Sequence, residues 1–388
     1  MHFKEFLIVA FIAILLPIID VPPYSLLIIG VYFLVCMLLV LKNKNAISSN
    51  FLLLVVFWLI FSIAGLLLSW LMTFFDTPRE MEGFFNYLVR VLAIAIIFLS
   101  FIFVKEPANS KVTFSLWANY LFYFVVVSAI FEFTAKYFGL ENVINLFKAR
   151  ENLGGIDTVH FNRFSGFWSF PGDAAAIIVI SICLNYFSKV PQLKIKTAIL
   201  LVLLAFAQSK AGFAFLFGFV ILMILRKFSV RFFVSVLFFT SVAIYFFNIF
   251  QFEYLHKFII DFEWYLISSK RAQEFSLYFN SSIWEQLLGL NNPFLMYESE
   301  IIGSLSRVGF IGSFWFLSLF CLILYFSFKS KNYAELWLVM LSFLIVYCSI
   351  SAGLSRYKIS ILFYILFVTT LYYEIRHDNY TTVVKGNL

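Results

Sequence analysis

The stretch FLLLVVFWLIFSIAGLLLSWLMTFF, from Phe51 to Phe75, contains no charged residue. About twenty apolar residues are enough to cross the hydrocarbon core of a bilayer. In lipid the backbone must satisfy its own hydrogen bonds, which leaves only helices and closed barrels. A barrel would be built from shorter segments of alternating polarity. This long and continuous apolar run therefore predicts a membrane-spanning helix.

The rest of the chain has the same character. Of its 388 residues, 63% are hydrophobic and only 13% are charged, whereas soluble domains are about half apolar and a quarter charged. The net charge of +7 is attributed to basic loops between apolar runs, which set membrane topology, so we expect no nucleic-acid partner. The four cysteines all lie inside apolar runs. Their spacing fits no metal site, and we expect neither a disulfide framework nor a metal.

We therefore predict an all-α integral membrane protein with about twelve transmembrane helices, in which 1–388 form a single polytopic domain. No internal repeat is visible, and the first segment is interpreted as a retained helix because it lacks a signal-peptide cleavage site. The predicted spans are 4–20, 24–41, 51–74, 84–104, 112–138, 167–188, 195–209, 211–226, 231–250, 301–326, 334–351 and 357–375.

The basic residues predict the orientation of these spans. With the N-terminus in the cytoplasm, every inside loop is short and basic, as the positive-inside rule requires. Those loops are 42–45, 105–111, 188–196, 226–231 and 329–331, and the tail from Glu374 to Leu388 is also inside. Two outer loops are long, 139–166 and 251–300. The second is predicted to form short amphipathic helices at the membrane surface, broken at Asn280–Ser282.

A second group of basic residues falls on the predicted outer side, where topology does not require them. A charge at mid-membrane costs about 2.5 to 3.5 kcal/mol, so it must reach the interface, pair, or bind an anion. Several cations around one outward cavity would suit a diphosphate, since Arg binds phosphate oxygens in a bidentate way and Lys supplies a point charge. The group comprises Arg150, Arg163, Lys210, Lys270, Arg271, Arg307, Arg356 and Lys358.

Within this group, Arg163 opens the stretch RFSGFWSFPGDAA, whose glycines and Pro171 interrupt a helix start and expose backbone donors. Asp173 in the same stretch would either pair with a basic group or contact a sugar hydroxyl. Lys210 lies in the tight connection QSKAG, where it would either reach the interface or contact phosphate.

Acidic and histidine side chains on the outer side supply the remaining candidates. Glu300 is either a general base or an ordinary helix-start residue favoured by the helix dipole, and for Glu298 the second interpretation is preferred. His160 is a lone histidine, without a second one near enough to form a metal site.

These landmarks together resemble the O-antigen polymerase and O-antigen ligase family of bacterial inner-membrane proteins. The resemblance is carried by RFSGFWSFPGDAA, by QSKAG between two short spans, by SKR and LLGL in the large outer loop, and by YESEIIGSLSRVGFIG leading into a span. Its implied location is the bacterial cytoplasmic membrane.

The resemblance implies a glycosyltransferase that polymerises undecaprenyl-diphosphate-linked oligosaccharide repeats at the outer face of that membrane, for O-antigen, capsule or exopolysaccharide. An acceptor hydroxyl would attack the anomeric carbon of the donor, and the lipid diphosphate would leave. The implied partners are the lipid-linked donor and acceptor, membrane lipid and a chain-length regulator protein. No cofactor or metal is needed, because the donor's phosphate bond already stores the energy.

Carried over by position, the resemblance implies that Arg163, Lys210, Arg271 and Arg307 bind the diphosphate and that Arg271 and Glu300 act in catalysis. Asp173 and His160 would contact sugar. Ligases carry a His near the start of the span after the large loop, where this chain has Glu298 and Glu300, which favours the polymerase. An O-antigen ligase and a lipid-linked oligosaccharide flippase or other transporter remain the alternatives, although transporters often show internal repeats.

Overall fold

The structure is a computed structural model, and every regular element in the part it describes is a helix. It describes residues 4, 7–8, 11, 49–76, 87–88, 90–92, 94–95, 97, 110–140, 143, 163–168, 171–227, 276–289, 300–350 and 357–385. The predicted spans 24–41 and 231–250 lie outside these residues, as does most of both predicted outer loops.

The described helices follow the apolar runs of the sequence. They are α1 (Ser49–Asp76), α2 (Ser110–Tyr137), α3 (Pro171–Ser188), α4 (Leu193–Ala207), α5 (Lys210–Lys227), α6 (Ile283–Leu288), α7 (Glu300–Gly312), α8 (Phe314–Lys329), α9 (Ala334–Ser342) and α10 (Tyr357–Lys385). After α9 the helix continues through a π-helical turn, Phe343–Tyr347, and ends with Cys348–Ile350.

Helix α3 lies at the centre of the described bundle and packs against α2, α4, α5 and α9. Every residue from 173 to 181 is buried, which explains its nearly uniform apolar sequence. A fully apolar helix is typical of the interior of a large bundle or of a membrane span. The tryptophans at 117, 168, 315 and 337 are also fully buried.

Helices α2, α3 and α4 run in alternating directions, which gives this part of the bundle two ends. At the first end, the backbone N–H of Phe164 bonds the carbonyl of Phe206 at the end of α4 (3.0 Å). At the second end, Tyr333 bonds Ser110 (2.9 Å) and Thr113 bonds Tyr373 (2.7 Å). We call these the Arg163 end and the basic end.

The described parts of the predicted inside loops gather at the basic end. Arg226 donates to the carbonyls of Ser327 and Ser330 (3.4 and 2.5 Å), so the last turns of α5 and α8 are neighbours. Lys196 donates to Asn119 near the start of α2 (2.5 Å). The described parts of the basic loops therefore share one end of the bundle, as the positive-inside pattern requires.

Two described helices, α2 and α3, are long and apolar enough to cross a membrane, and a third span results if the bent pair α7–α8 counts as one. Shorter apolar helices cover Val56–Leu71, Ala211–Arg226, Ala334–Tyr347 and Ile359–Ile375. This composition is consistent with a membrane protein. The number of twelve spans remains a prediction.

The predicted span 301–326 is not one straight helix, since α7 and α8 meet at an angle of 100°. Within α7, Gly309 already leaves helical geometry, with φ 66° and ψ −178°. That region of backbone space is essentially restricted to glycine. A side chain at Gly309 would collide with the backbone of Leu287 and Gly289, so the close passage of the 287–289 backbone requires glycine at this position.

The predicted inside tail from Glu374 begins within a helix, and its side of the membrane remains a prediction. Helix α10 continues to Lys385, and Glu374 is buried, accepting a hydrogen bond from the indole N–H of Trp337 (3.1 Å). The buried indole donor requires an acceptor, which accounts for a carboxylate inside the bundle at this point.

Candidate functional site

A buried ion pair holds the RFSG segment at the Arg163 end. One oxygen of Glu132 on α2 accepts the backbone N–H groups of Ser165 and Gly166 (2.8 and 2.5 Å). Its other oxygen lies 2.6 Å from the ammonium of Lys136, one helical turn later. Lys136 also donates to the carbonyl of Arg163 (3.3 Å). The pair therefore satisfies donors and an acceptor of a non-helical backbone that would otherwise be costly to bury.

Gly166 permits this close approach. Its φ is +60°, a conformation that favours glycine. An added side-chain carbon would lie 2.6 Å from the hydroxyl oxygen of Ser128 and 3.1 Å from the ring of Trp168. The segment can therefore lie flat against α2 only because residue 166 has no side chain.

The same segment is joined to the QSKAG connection. The backbone bond between Phe164 and Phe206 ties it to the last turn of α4. Gln208 then adopts a left-handed conformation, and the hydroxyl of Ser209 accepts the N–H of Gly212 (3.2 Å) at the start of α5. Two stretches separated in sequence, RFSG and QSKAG, thus lie side by side.

Asp173 lies in the first turn of α3 and is fully buried. The hydroxyl of Tyr347 donates to its Oδ1 atom (3.2 Å). A side-chain carbon at Gly172 would lie 3.5 Å from this hydroxyl and 3.7 Å from the Ser209 oxygen. Gly172, Asp173, Ser209 and Tyr347 therefore form one polar cluster, which we call the Asp173 cluster.

Tyr347 reaches Asp173 from the π-helical turn that follows α9. Single π-helical turns inside α-helices are frequently found at functional sites. The ring of Tyr347 stacks on Phe343 (centroids 5.1 Å apart) and is tilted against Phe215 (6.2 Å). These two rings fix the direction of the phenol towards Asp173.

The LLGL stretch lies in contact with α7. Leu287 and Gly289 approach Gly309 closely, and the hydroxyl of Ser69 on α1 donates to the carbonyl of Leu288 (2.8 Å). Glu285 and Ser282 form a capping box at the start of α6. The chain thus turns at 280–282, where the sequence predicted a break.

Tyr278, in the same segment, has a phenol whose pKa is shifted by burial. Burial raises the pKa of the Tyr278 phenol, because the charged phenolate is disfavoured away from water. The hydroxyl of Tyr278 donates to the carbonyl of Gln286 (2.9 Å), which fastens the two halves of the segment together.

The predicted site residues fall into three groups. The structure brings Arg163 and Asp173 to the same end of the bundle, next to the backbone of Lys210. For Lys210 and Glu300, the first residues of α5 and α7, the backbone alone is described; Arg307 on α7 is exposed. Arg271 and His160 lie outside the described residues, so their roles stay predictions.

Arg163 itself is half-buried, and its Nε atom is buried without a hydrogen-bond partner among the described residues. A guanidinium carries donors in a fixed fork that suits phosphate oxygens. The Arg163 end of the bundle therefore holds a guanidinium that suits an anion and, at the start of α3, the Asp173–Tyr347 pair.

Three residues of the site, Glu132, Lys136 and Tyr347, were absent from the sequence prediction. The first two carried a usable signal, since a Glu and a Lys four residues apart inside a predicted span are expensive in lipid unless they are paired. Tyr347 carried none, because it lies in an aromatic-rich apolar run.

No protein-family model, curated protein or solved structure matches this chain. The described fold therefore defines only a broad class of protein, an all-helical protein with helices apolar enough to span a membrane. Among the described residues, no group of His, Cys, Asp and Glu has the arrangement of a metal site.

Proposed function

We propose that this protein polymerises undecaprenyl-diphosphate-linked oligosaccharide repeats at the outer face of a bacterial cytoplasmic membrane. The proposal is supported by one observation above others. The RFSG, PGD and QSKAG stretches, which carry the resemblance in sequence, meet at the start of the buried helix α3.

In this proposal Arg163 binds the donor diphosphate. Negative charge develops on the leaving diphosphate as the glycosidic bond to it breaks, and fixed cationic donors stabilise that charge most where it forms. Lys210, Arg271 and Arg307 would add further positive charge. The Glu132–Lys136 pair contributes indirectly, because it holds the backbone from which the Arg163 side chain projects.

The acceptor sugar would bring a hydroxyl to the anomeric carbon, and a carboxylate would accept its proton. Glu300 is the proposed base. Asp173, held by Tyr347, would bind a sugar hydroxyl and orient it. The acceptor then gains the whole glycan and the undecaprenyl diphosphate is released.

The test is substitution of Arg163 in cells that lack their own copy of the gene. We expect Arg163→Ala to abolish long polysaccharide chains while single repeats still reach the cell surface. Arg163→Lys should restore part of the chain length, since it keeps the charge and loses the bidentate geometry. Gel laddering of the surface polysaccharide, with protein level checked by immunoblot, measures the result.

The matched control is Lys331→Ala, which removes an exposed cation at the basic end. It should leave the ladder unchanged. Normal ladders from Arg163→Ala would contradict the assignment of Arg163. Accumulation of lipid-linked repeats on the inner leaflet would instead indicate a transporter, and loss of transfer to the final carrier with normal chain length would indicate a ligase.

A further inference from the structure

A row of polar side chains whose polar atoms are buried lies along one face of α3, away from the Asp173 cluster. Ser181, Asn185 and Ser188 are separated by four and three residues, so they fall on one face of the helix. At about 1.5 Å per residue the row extends roughly 10 Å along the helix axis. We call it the Asn185 row.

Asn185 is the unusual member. Its side chain has 0% exposure, and neither its amide nitrogen nor its amide oxygen has a hydrogen-bond partner among the described residues. The hydroxyls of Ser181 and Ser188 likewise have none. Each amide group can form several hydrogen bonds, so the row holds a local surplus of donors and acceptors inside a helix that is apolar enough to span a membrane.

Leaving such groups unsatisfied is costly. Almost all buried polar groups are paired with protein or ordered water, and in lipid the surrounding medium offers no substitute. A serine hydroxyl can rotate to a carbonyl of the preceding turn, as Ser327, Thr369 and Thr370 do here. An Asn amide nitrogen can donate in the same way, as Asn119 does to the carbonyl of Ser115 (2.9 Å), but the Asn185 amide oxygen is an acceptor and no carbonyl can satisfy it.

We propose that the Asn185 row is a binding site for internal water. The Asn185 amide forms hydrogen bonds with the water at the centre of the row, and the two serine hydroxyls form hydrogen bonds with it on either side. Ser188 is half-buried and is followed by the exposed Lys189, so the site opens towards the aqueous phase at the basic end of the bundle. The inference is independent of the proposed enzymatic function, because it concerns the opposite end of α3.

Radiolytic hydroxyl labelling of the purified protein in detergent tests the proposal. X-ray pulses generate hydroxyl radicals from bound water, which oxidise side chains next to it even when these are buried. We expect oxidation of Leu184, beside Asn185, to exceed that of Leu200 on α4. Both leucines have 0% exposure, so bulk solvent cannot account for a difference. Equal labelling of the two in the wild-type protein would overturn the proposal.

Asn185→Leu supplies the second arm. Leu has nearly the same shape as Asn and no polar group. In a dry row the substitution would remove an unsatisfied amide and raise stability. In a hydrated row it would displace bound water from the two serine hydroxyls and lower stability. The proposal expects loss of the Leu184 labelling and a lower unfolding temperature. An unchanged or raised unfolding temperature would count against it. Ile177→Leu, one turn before Ser181 on the same face, controls for repacking.

Discussion

At the residue scale, the decisive contact is made by the carboxylate of Glu132, which accepts hydrogen bonds from backbone N–H groups. Glu132 is 1% exposed and accepts two N–H groups of the RFSG segment while it pairs with Lys136. A lone buried charge would be strongly unfavourable, but this one has acceptor sites filled on both oxygens. The local conformation of Arg163 is therefore set by a residue on another helix.

Glu132→Gln should destabilise the protein by about 1–3 kcal/mol. The amide would turn N–H donors towards the ammonium of Lys136 and leave that charge without its counterion. Adding Lys136→Met should recover part of the loss, because both partners are then neutral. Thermal unfolding in detergent measures the three variants, and a double variant as unstable as the sum of the singles would contradict the coupling.

At the element scale, close packing of α3 on α5 determines where the two motifs meet. A side-chain carbon at Gly212 would collide with Cβ of Ala175 and lie 3.3 Å from Leu204. The small residues allow the two helix backbones to approach, as is common between helices in membranes. Ser209 and Lys210 at the start of α5 are thereby placed beside the start of α3.

We expect Gly212→Ala to lower the unfolding temperature although alanine favours helix by about 1 kcal/mol. The added methyl would push α5 away from α3 at Ala175. Combining it with Ala175→Gly should restore much of the loss, since the collision is then removed. If Gly212→Ala alone is more stable than the wild-type protein, the packing argument fails.

At the scale of the whole molecule, the two ends of the bundle have different character. Helix α3 has 18 residues, roughly 27 Å at about 1.5 Å per residue, which is close to the thickness of a hydrocarbon core. Helix α4 returns in the opposite direction, so Lys189 and Gln208 lie at opposite ends. Both side chains are exposed.

Cysteine labelling in sealed vesicles tests this arrangement. In a variant without native cysteines, Lys189→Cys should react with an impermeant maleimide from one side of the membrane and Gln208→Cys from the other. The positive-inside pattern places position 189 in the cytoplasm. Reaction of both positions from the same side would show that α3 and α4 do not cross the membrane.

The amino-acid sequence determined the helical class, because long uncharged runs leave the backbone no other way to be satisfied in lipid. It also determined which loops are basic, and it marked Arg163, Asp173 and the glycines of QSKAG as unusual. These features depend on local composition and can be read without knowing which helices are neighbours.

Only the tertiary structure decided which of these residues meet. The contact between Asp173 and Tyr347 joins positions 174 residues apart, and the non-helical Gly309 lies against backbone from the 287–289 stretch. An apolar run has no periodic polar face to indicate its partner, so hydropathy cannot predict such pairings. Helix packing selects them through small residues and buried polar groups, whose matching partners lie far away in the sequence.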